Sequence, residues 1–373
     1  MKNIFTALCL SSLSIASFAQ APVAENLRIL IKDTSTVSRA LKGDYINTAL
    51  EVGMSKKYTE LKKINFPIRV ALDPGHVATN KKEAIVESRF IRTKKGFFYE
   101  SKLTMATAKL VKAKLEEKGY EVMITRPEGK SALGVTFTEW YKKQFRSQLK
   151  KDLGNGKINQ ERYQFLLHAD RATVFHQYFR DLDFLARGAA INAFNADIAI
   201  AIHYNATEFD NRPDTFAPEV DYNYSVAFVP GSFTNQELSL QGQMEDFIRL
   251  ASSNTIERSI ELSNYLIEEF HSKLGAKPLL PNDIPDLWYL KKYSTYTGRP
   301  GIYGRNLYLT RAIKCPSSYT ECFLQNNTSE IVRLTEKDLK VGKLKVSSRV
   351  ADVADCIYAA IVKYFNNTAI TKK

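Results

Sequence analysis

Long hydrophobic runs are missing from almost all of this 373-residue chain. Beyond residue 20 no apolar stretch approaches the ~20 residues a helix needs to cross a bilayer, so no integral membrane span is expected. Cysteine is scarce, with four residues in all. That excludes a disulfide scaffold of the small secreted kind and leaves stability to an apolar core. No repeat with a period of 20 to 50 residues is present, which removes the solenoid and propeller architectures. Acidic residues are in deficit: 40 against 53 basic ones give a net charge of +13. Hydrophobic residues at 44% and charged residues at 25% are otherwise ordinary, and exclude a wholly disordered chain, a collagen and a coiled-coil rod.

What is present begins with an address. Lys2, the serine-diluted apolar stretch from Ile4 to Ile15, and the small-x-small Ser17-Phe18-Ala19 follow the order of a secretory signal peptide over residues 1–19. Cys9 does not follow a Leu-small-small triplet, so the expected product is unanchored: periplasmic, or alternatively secreted or wall-associated. Removal of the signal leaves 52 basic against 40 acidic residues and three cysteines. The positive balance favours a polyanionic partner, whether nucleic acid, anionic lipid or cell wall, and export argues against nucleic acid.

Residues 20–64 read as an N-terminal helical extension interrupted at Gly43 and Gly53, and residues 65–373 as the main domain. Ile68 to Leu72 is a β-rich run stopped by Asp73-Pro74-Gly75. Residues 101 to 118 place Leu103, Ala106, Leu110 and Val111 on one helical face and end at Gly119, and Tyr120 to Thr125 forms the next strand. A strand, helix, strand order of this length implies parallel pairing. A helix from Phe184 to Ala196 then leads into Asp197 to Ile202, an apolar strand covered on both faces. Strands recur at Tyr224 to Val229 and Ser317 to Phe323, with helices at 256–274 and 348–364. The expected fold is α/β: a twisted, mostly parallel mixed sheet of about six strands with helices on both faces, plus a helical insertion at about 130–183. That insertion is rich in aromatics and bases, with ten basic against six acidic residues between 130 and 185. Packing of its aromatics on the main domain and a basic surface for an anionic polymer or protein regulator are both open.

Two of only five histidines, His76 and His203, stand immediately beyond the ends of apolar strands. Ligands of open α/β sheets bind at that edge, because strand ends deliver side chains into a rigid crevice. Glu100 begins the helix after the first strand, within reach of the same edge. Two imidazoles and one carboxylate make a catalytic zinc set that leaves a fourth position open. His168, His176 and His271 read as surface or packing residues.

These stretches resemble the zinc-dependent N-acetylmuramoyl-L-alanine amidases, which cut stem peptides from peptidoglycan. The similarity is carried by Val70-Ala71-Leu72-Asp73-Pro74-Gly75-His76, by Glu100-Ser101-Lys102-Leu103 leading to Gly119 through Arg126, by Leu185-Ala186-Arg187 through Asn192 to Ile202-His203-Tyr204-Asn205-Ala206, and by Pro316-Ser317-Ser318-Tyr319-Thr320-Glu321 followed by Asn327. The resemblance implies one zinc ion held by His76, Glu100 and His203, with Glu321 as the catalytic carboxylate, and a zinc amidase domain over residues 65–373. It implies peptidoglycan as the substrate and a protein activator as an optional partner. Val77-Ala78 replace the glycines that usually follow the first histidine. The interval to Glu100 is also longer than usual, which leaves Glu83 and Glu87 as competing ligands. Asp73 is expected to support the histidines, and Arg187 and Asn192 to fix a helix against the sheet. Residues 231–255, with Glu237, Glu245 and Asp246, fall where some relatives carry a segment that blocks the zinc site. Two other functions compete: a non-catalytic peptidoglycan-binding protein on the same fold, and another cell-wall zinc peptidase.

Overall fold

The computed structural model describes Leu30 and residues 66–94, 96–207, 215–283 and 288–367. The expected signal peptide and, apart from Leu30, the N-terminal extension lie outside the described residues. The chain builds a mixed sheet of eight strands: β1 (Arg69–Pro74), β4 (Glu121–Ile124), β5 (Ile198–Asn205), β6 (Tyr224–Val229), β7 (Lys277–Pro278), β8 (Ser294–Tyr296), β9 (Ile302–Arg305) and β10 (Ser317–Leu324). The order is β4-β1-β5-β10-β6-β9-β8, with β7 also pairing to β6. Strands β4, β1, β5 and β10 are mutually parallel, while β6 runs antiparallel to β10. Two small hairpins stand apart: β2 (Phe90–Thr93) with β3 (Gly96–Tyr99), and β11 (Leu339–Val341) with β12 (Leu344–Val346).

The sheet has eight strands rather than about six because β7 has two residues and β8 three, too few to carry a period-2 signature. The longer strands are legible for a physical reason. In β5 the run Ile198-Ala199-Ile200-Ala201-Ile202 is wholly buried, so both faces must be apolar. Side chains alternate across a strand. Ile198, Ile200 and Ile202 therefore share one face with Val70 and Leu72, and pack against helices Glu100–Glu117, Thr255–Glu269 and Arg349–Asn367. On the other face the small Ala71 and Ala199 admit helix Arg180–Phe194, which packs there through Ile191. Burying each isoleucine contributes roughly 1.5–3 kcal/mol, so the central strands are held from both sides.

The insertion is helical, with segments Phe137–Lys143, Phe145–Gly154, Gln160–His168 and Arg171–Val174 and a π-helical turn at Phe175–Phe179. Its aromatics pack mainly on one another: Phe137, Trp140, Phe145, Phe175, Tyr178 and Phe179 form a buried cluster that meets the main domain at Val77 and Val86. Cys315, Cys322 and Cys356 are buried and form no disulfide. No helix among the described residues is long and apolar enough to cross a membrane.

Candidate active site

Parallel β1, β5 and β10 deliver their C-terminal ends to one edge of the sheet. Pro74 lies beside Ile202 in the β1–β5 register, and Glu321 beside His203 in the β5–β10 register. The chain leaves β1 through Gly75 into His76, which sits in the left-handed region at φ 62°. A non-glycine residue rarely adopts that conformation unless its surroundings impose it. Here Thr104 Oγ1 donates to the Gly75 carbonyl at 2.7 Å, and Arg187 Nη2 donates to the His76 carbonyl at 3.1 Å. Glu100 is the first residue of helix Glu100–Glu117, where the helix dipole favours a carboxylate. Its Oε1 accepts from the Tyr204 amide at 3.0 Å.

The structure brings His76, Glu100 and His203 together, with one ligating atom from each lying within 4.8 Å of the others. His76 Nε2 is 3.1 Å from Glu100 Oε2, and His203 Nδ1 is 3.0 Å from Glu100 Oε1. The two rings meet edge to face with centroids 4.9 Å apart, and Tyr319 stacks on His203 at 4.2 Å. Gly75 makes this approach feasible. A Cβ there would fall 2.3 Å from His203 Cε1, so Gly75→Ala is expected to displace the imidazole and cost about 1–3 kcal/mol in denaturant unfolding.

Of the two competing carboxylates, neither faces the same point as Glu100. Glu83 accepts from Thr79 Oγ1 at 2.7 Å and from the Thr138 amide at 3.2 Å, which ties the insertion to the site loop. Glu87 lies on the far side of the His76 ring: its Oε1 is 3.0 Å from Nδ1, and the same carboxylate accepts from the Val77 and Ala78 amides. A hydrogen-bonded Nδ1 fixes ring orientation and leaves Nε2 toward Glu100. Asp73 does not take the role expected of it. Its Oδ1 accepts from Arg187 and Thr125 instead of from an imidazole, because Asp73 is pinned under the helix that carries Arg187.

Burial and charge set the protonation of the cluster. Burial alone would depress His76, but the Glu100 and Glu87 carboxylates overcome it and hold the imidazole at about 9. Burial would raise Glu100, yet His76 and His203 keep it well below the usual carboxylate range. His203 is lowered by burial, which Glu100 offsets only in part. Glu321 is pushed well above its usual value by burial and by the charge of Glu100. Its Oε2 is buried with no hydrogen-bond partner.

Residues 70–348 match the sequence model of the N-acetylmuramoyl-L-alanine amidases. The chain belongs to that family. Solved structures of amidases from several bacteria resemble its fold. The CwlD amidase of Clostridioides difficile, solved in complex with the GerS lipoprotein, is 17% identical, with 80% of this chain and 98% of that one covered at a TM-score of 0.44. The amidase Ami1 of Mycobacterium smegmatis is 14% identical, with 82% and 100% covered at 0.43. The amidase AmiC2 of Nostoc punctiforme is 14% identical, with 81% and 99% covered at 0.42. No curated protein sequence matches the chain.

In this member of the amidase family His76, His203 and Glu321 line a cavity of about 420 Å³, whose walls also include Arg89, Phe175, His176, Arg180 and Arg305. His176 was expected on the surface or in packing. Instead the π-helical turn of the insertion brings it to the cavity wall, and no sequence spacing announces that. The segment 231–255 contributes nothing to the wall. Its acids are engaged elsewhere: Glu237 closes a capping box with Thr234, Glu245 accepts from Gln241, and Asp246 pairs with Arg311 at 3.0 Å. Asn192 reaches the Ala312 carbonyl and the Lys314 amide, which fixes its helix to the segment before β10.

Proposed function

We propose that the protein is a zinc-dependent hydrolase that cleaves the amide bond between the lactyl group of N-acetylmuramic acid and L-alanine of the peptidoglycan stem peptide. The observation that carries this reading is the position of Glu321. Its unpartnered Oε2 stands at the strand register of His203, beside a cluster of two imidazoles and a carboxylate. The donor set suits zinc, which takes nitrogen and oxygen ligands in fours and in catalytic sites keeps one position open. In this reading His76, Glu100 and His203 hold the ion, and Glu87 orients His76 through Nδ1.

Bound there, zinc supplies a Lewis acid that polarises the scissile carbonyl and makes water acidic enough to attack near neutral pH. Glu321 supplies the proton transfers: Oε2 accepts the proton of the attacking water and returns it to the departing L-alanine nitrogen. The aromatic wall of the insertion excludes water from one side of the cavity, which strengthens each electrostatic contact inside. Export to the periplasm with loss of residues 1–19, and a catalytic domain over 65–373 preceded by an extension, belong to the same proposal and rest on the sequence.

Digestion of purified sacculi followed by mass spectrometry tests it. The zinc-loaded protein is expected to release stem peptides with a free L-alanine amine, chelation to stop the release, and zinc to restore it. Products cut within the peptide would favour a wall peptidase. No release by zinc-loaded protein that still binds sacculi would favour a binding protein.

A further inference from the structure

One hydrogen bond does not fix the plane of an imidazole. His203 Nδ1 meets Glu100 Oε1 at 3.0 Å, which holds one ring atom and lets the ring tilt about that contact. The flanking strands supply the missing restraint. β5 lies between β1 and β10 in the sheet, so residues from those strands reach His203 from opposite sides. On the β1 side is Gly75. A Cβ there would fall 2.3 Å from His203 Cε1 and 2.6 Å from both ring nitrogens, which places the glycine over one face of the ring. On the β10 side is Tyr319, whose ring lies 15° from parallel to the imidazole with centroids 4.2 Å apart. The strand register explains how it gets there. Tyr319 pairs with Ala201, and Glu321 with His203, and side-chain alternation puts all four on one face of the sheet. Ala201 leaves space opposite Tyr319, so the phenol ring leans across it onto His203. Behind Tyr319 stands Phe228, directly opposite it on β6, with ring centroids 6.1 Å apart.

We propose that Tyr319 is a positioning residue for the metal, its ring and Gly75 forming a slot that holds the plane of the His203 imidazole in the direction the ion requires. A metal–nitrogen bond runs along a lone pair that lies in the ring plane, so a tilted ring aims its lone pair away from the ion, and the groups that set ligand orientation set affinity. An imidazole that gives electron density to a cation is also drawn to the electron-rich face of a phenol. The role rests on the zinc reading of the site, and adds to it a residue that acts through a ligand.

Competitive zinc titration of the full-length protein and of its Tyr319→Phe and Tyr319→Leu variants tests it. Tyr319→Leu should bind zinc about 10–100-fold more weakly, the scale of removing a group that orients a ligand, while Tyr319→Phe keeps the ring and should stay within about threefold of wild type. With cobalt(II) in place of zinc, the visible absorption of Tyr319→Phe should match wild type and that of Tyr319→Leu should shift, because the bands report ligand geometry. Ala201→Val leaves Tyr319 and every donor in place but fills the space the ring leans across, and should weaken zinc by about tenfold, the scale of ordinary overpacking. Denaturant unfolding of the metal-free proteins separates positioning from packing. A Tyr319→Leu protein that loses stability but keeps wild-type zinc affinity would overturn the role, and so would equal weakening by Phe and Leu or wild-type affinity in Ala201→Val. If that Tyr319→Leu protein also released stem peptides normally, the positioning role would fall and the amidase would stand. Tyr319-dependent zinc binding in a wild-type protein that releases no stem peptide would keep the positioning role and remove the amidase. Failure of the wild type to bind zinc would overturn both.

Discussion

Glu321→Gln is expected to retain zinc and lose stem-peptide release by at least about 10²–10⁴-fold, the range that positioned proton transfer contributes. The substitution keeps the shape of the side chain and removes the basic oxygen. An amide cannot take the proton of the attacking water at Oε2, nor hand one to the leaving nitrogen. The three clustered donors, His76, Glu100 and His203, are untouched, so metal content measured on the purified variant should equal that of wild type. Stability should hold or rise. Burial and the Glu100 charge already push the Glu321 carboxyl well above its usual value, and a neutral amide escapes that penalty, as is common where a site is tuned for turnover. Loss of activity together with loss of metal would mean that Glu321 is part of the metal cage. Wild-type activity in the variant would move the proton carrier elsewhere in the cavity.

Glu321 lies inside β10 and was named only through the family resemblance; that the edge positions of His76 and His203 are legible from the residues themselves, and that of Arg89 is not, has a physical basis. Residues at the ends of long buried strands are legible because the run itself fixes where the strand stops. Ile68 to Leu72 points to His76, Asp197 to Ile202 points to His203, and parallel pairing then places both at one edge. Glu100 is legible from the helix it opens. Glu87 was legible only as a rival ligand. Whether a carboxylate meets Nε2 or Nδ1 of one ring depends on the turn at Ser88 and on the path of the β2–β3 hairpin, which fills the long interval between His76 and Glu100. That hairpin and the two-residue β7 leave too little periodicity to detect. Arg89, Arg180, His176 and Arg305 lie on the cavity wall through tertiary packing of the turn after helix Lys81–Glu87, of the insertion and of β9, and single-sequence patterns carry no record of such packing. The insertion was readable as helices, but the way it packs was not: its aromatics form a core of their own that, among the described residues, meets the rest of the domain at Val77 and Val86.

Arg187→Met should give the largest loss of stability, about 3–5 kcal/mol, the cost of removing one partner from a buried charge network. Arg187 is 1% exposed, and its guanidinium spans two elements: Asp183 on its own helix, and on the β1 side Asp73 and the carbonyls of Pro74 and His76. Methionine fills much of the volume and satisfies none of those oxygens. Asp73 Oδ1 keeps Thr125, and Asp183 Oδ1 keeps the Ala132 amide at 2.7 Å, so the pocket stays occupied while two carboxylates lose their counter-charge. The second consequence is local. Without Nη2 on the His76 carbonyl, the left-handed turn loses a restraint and His76 Nε2 is no longer held toward Glu100. Zinc affinity should therefore fall about 10–100-fold, the usual effect of removing a group that orients a ligand. Denaturant unfolding of the metal-free protein reads the first effect and competitive zinc titration the second. Adding Asp183→Asn removes one stranded charge, so the double variant should recover part of the stability and none of the zinc affinity. A stability loss below about 1 kcal/mol, the scale of an exposed pair, would show that water reaches this network and that Arg187 does not clamp the sheet edge.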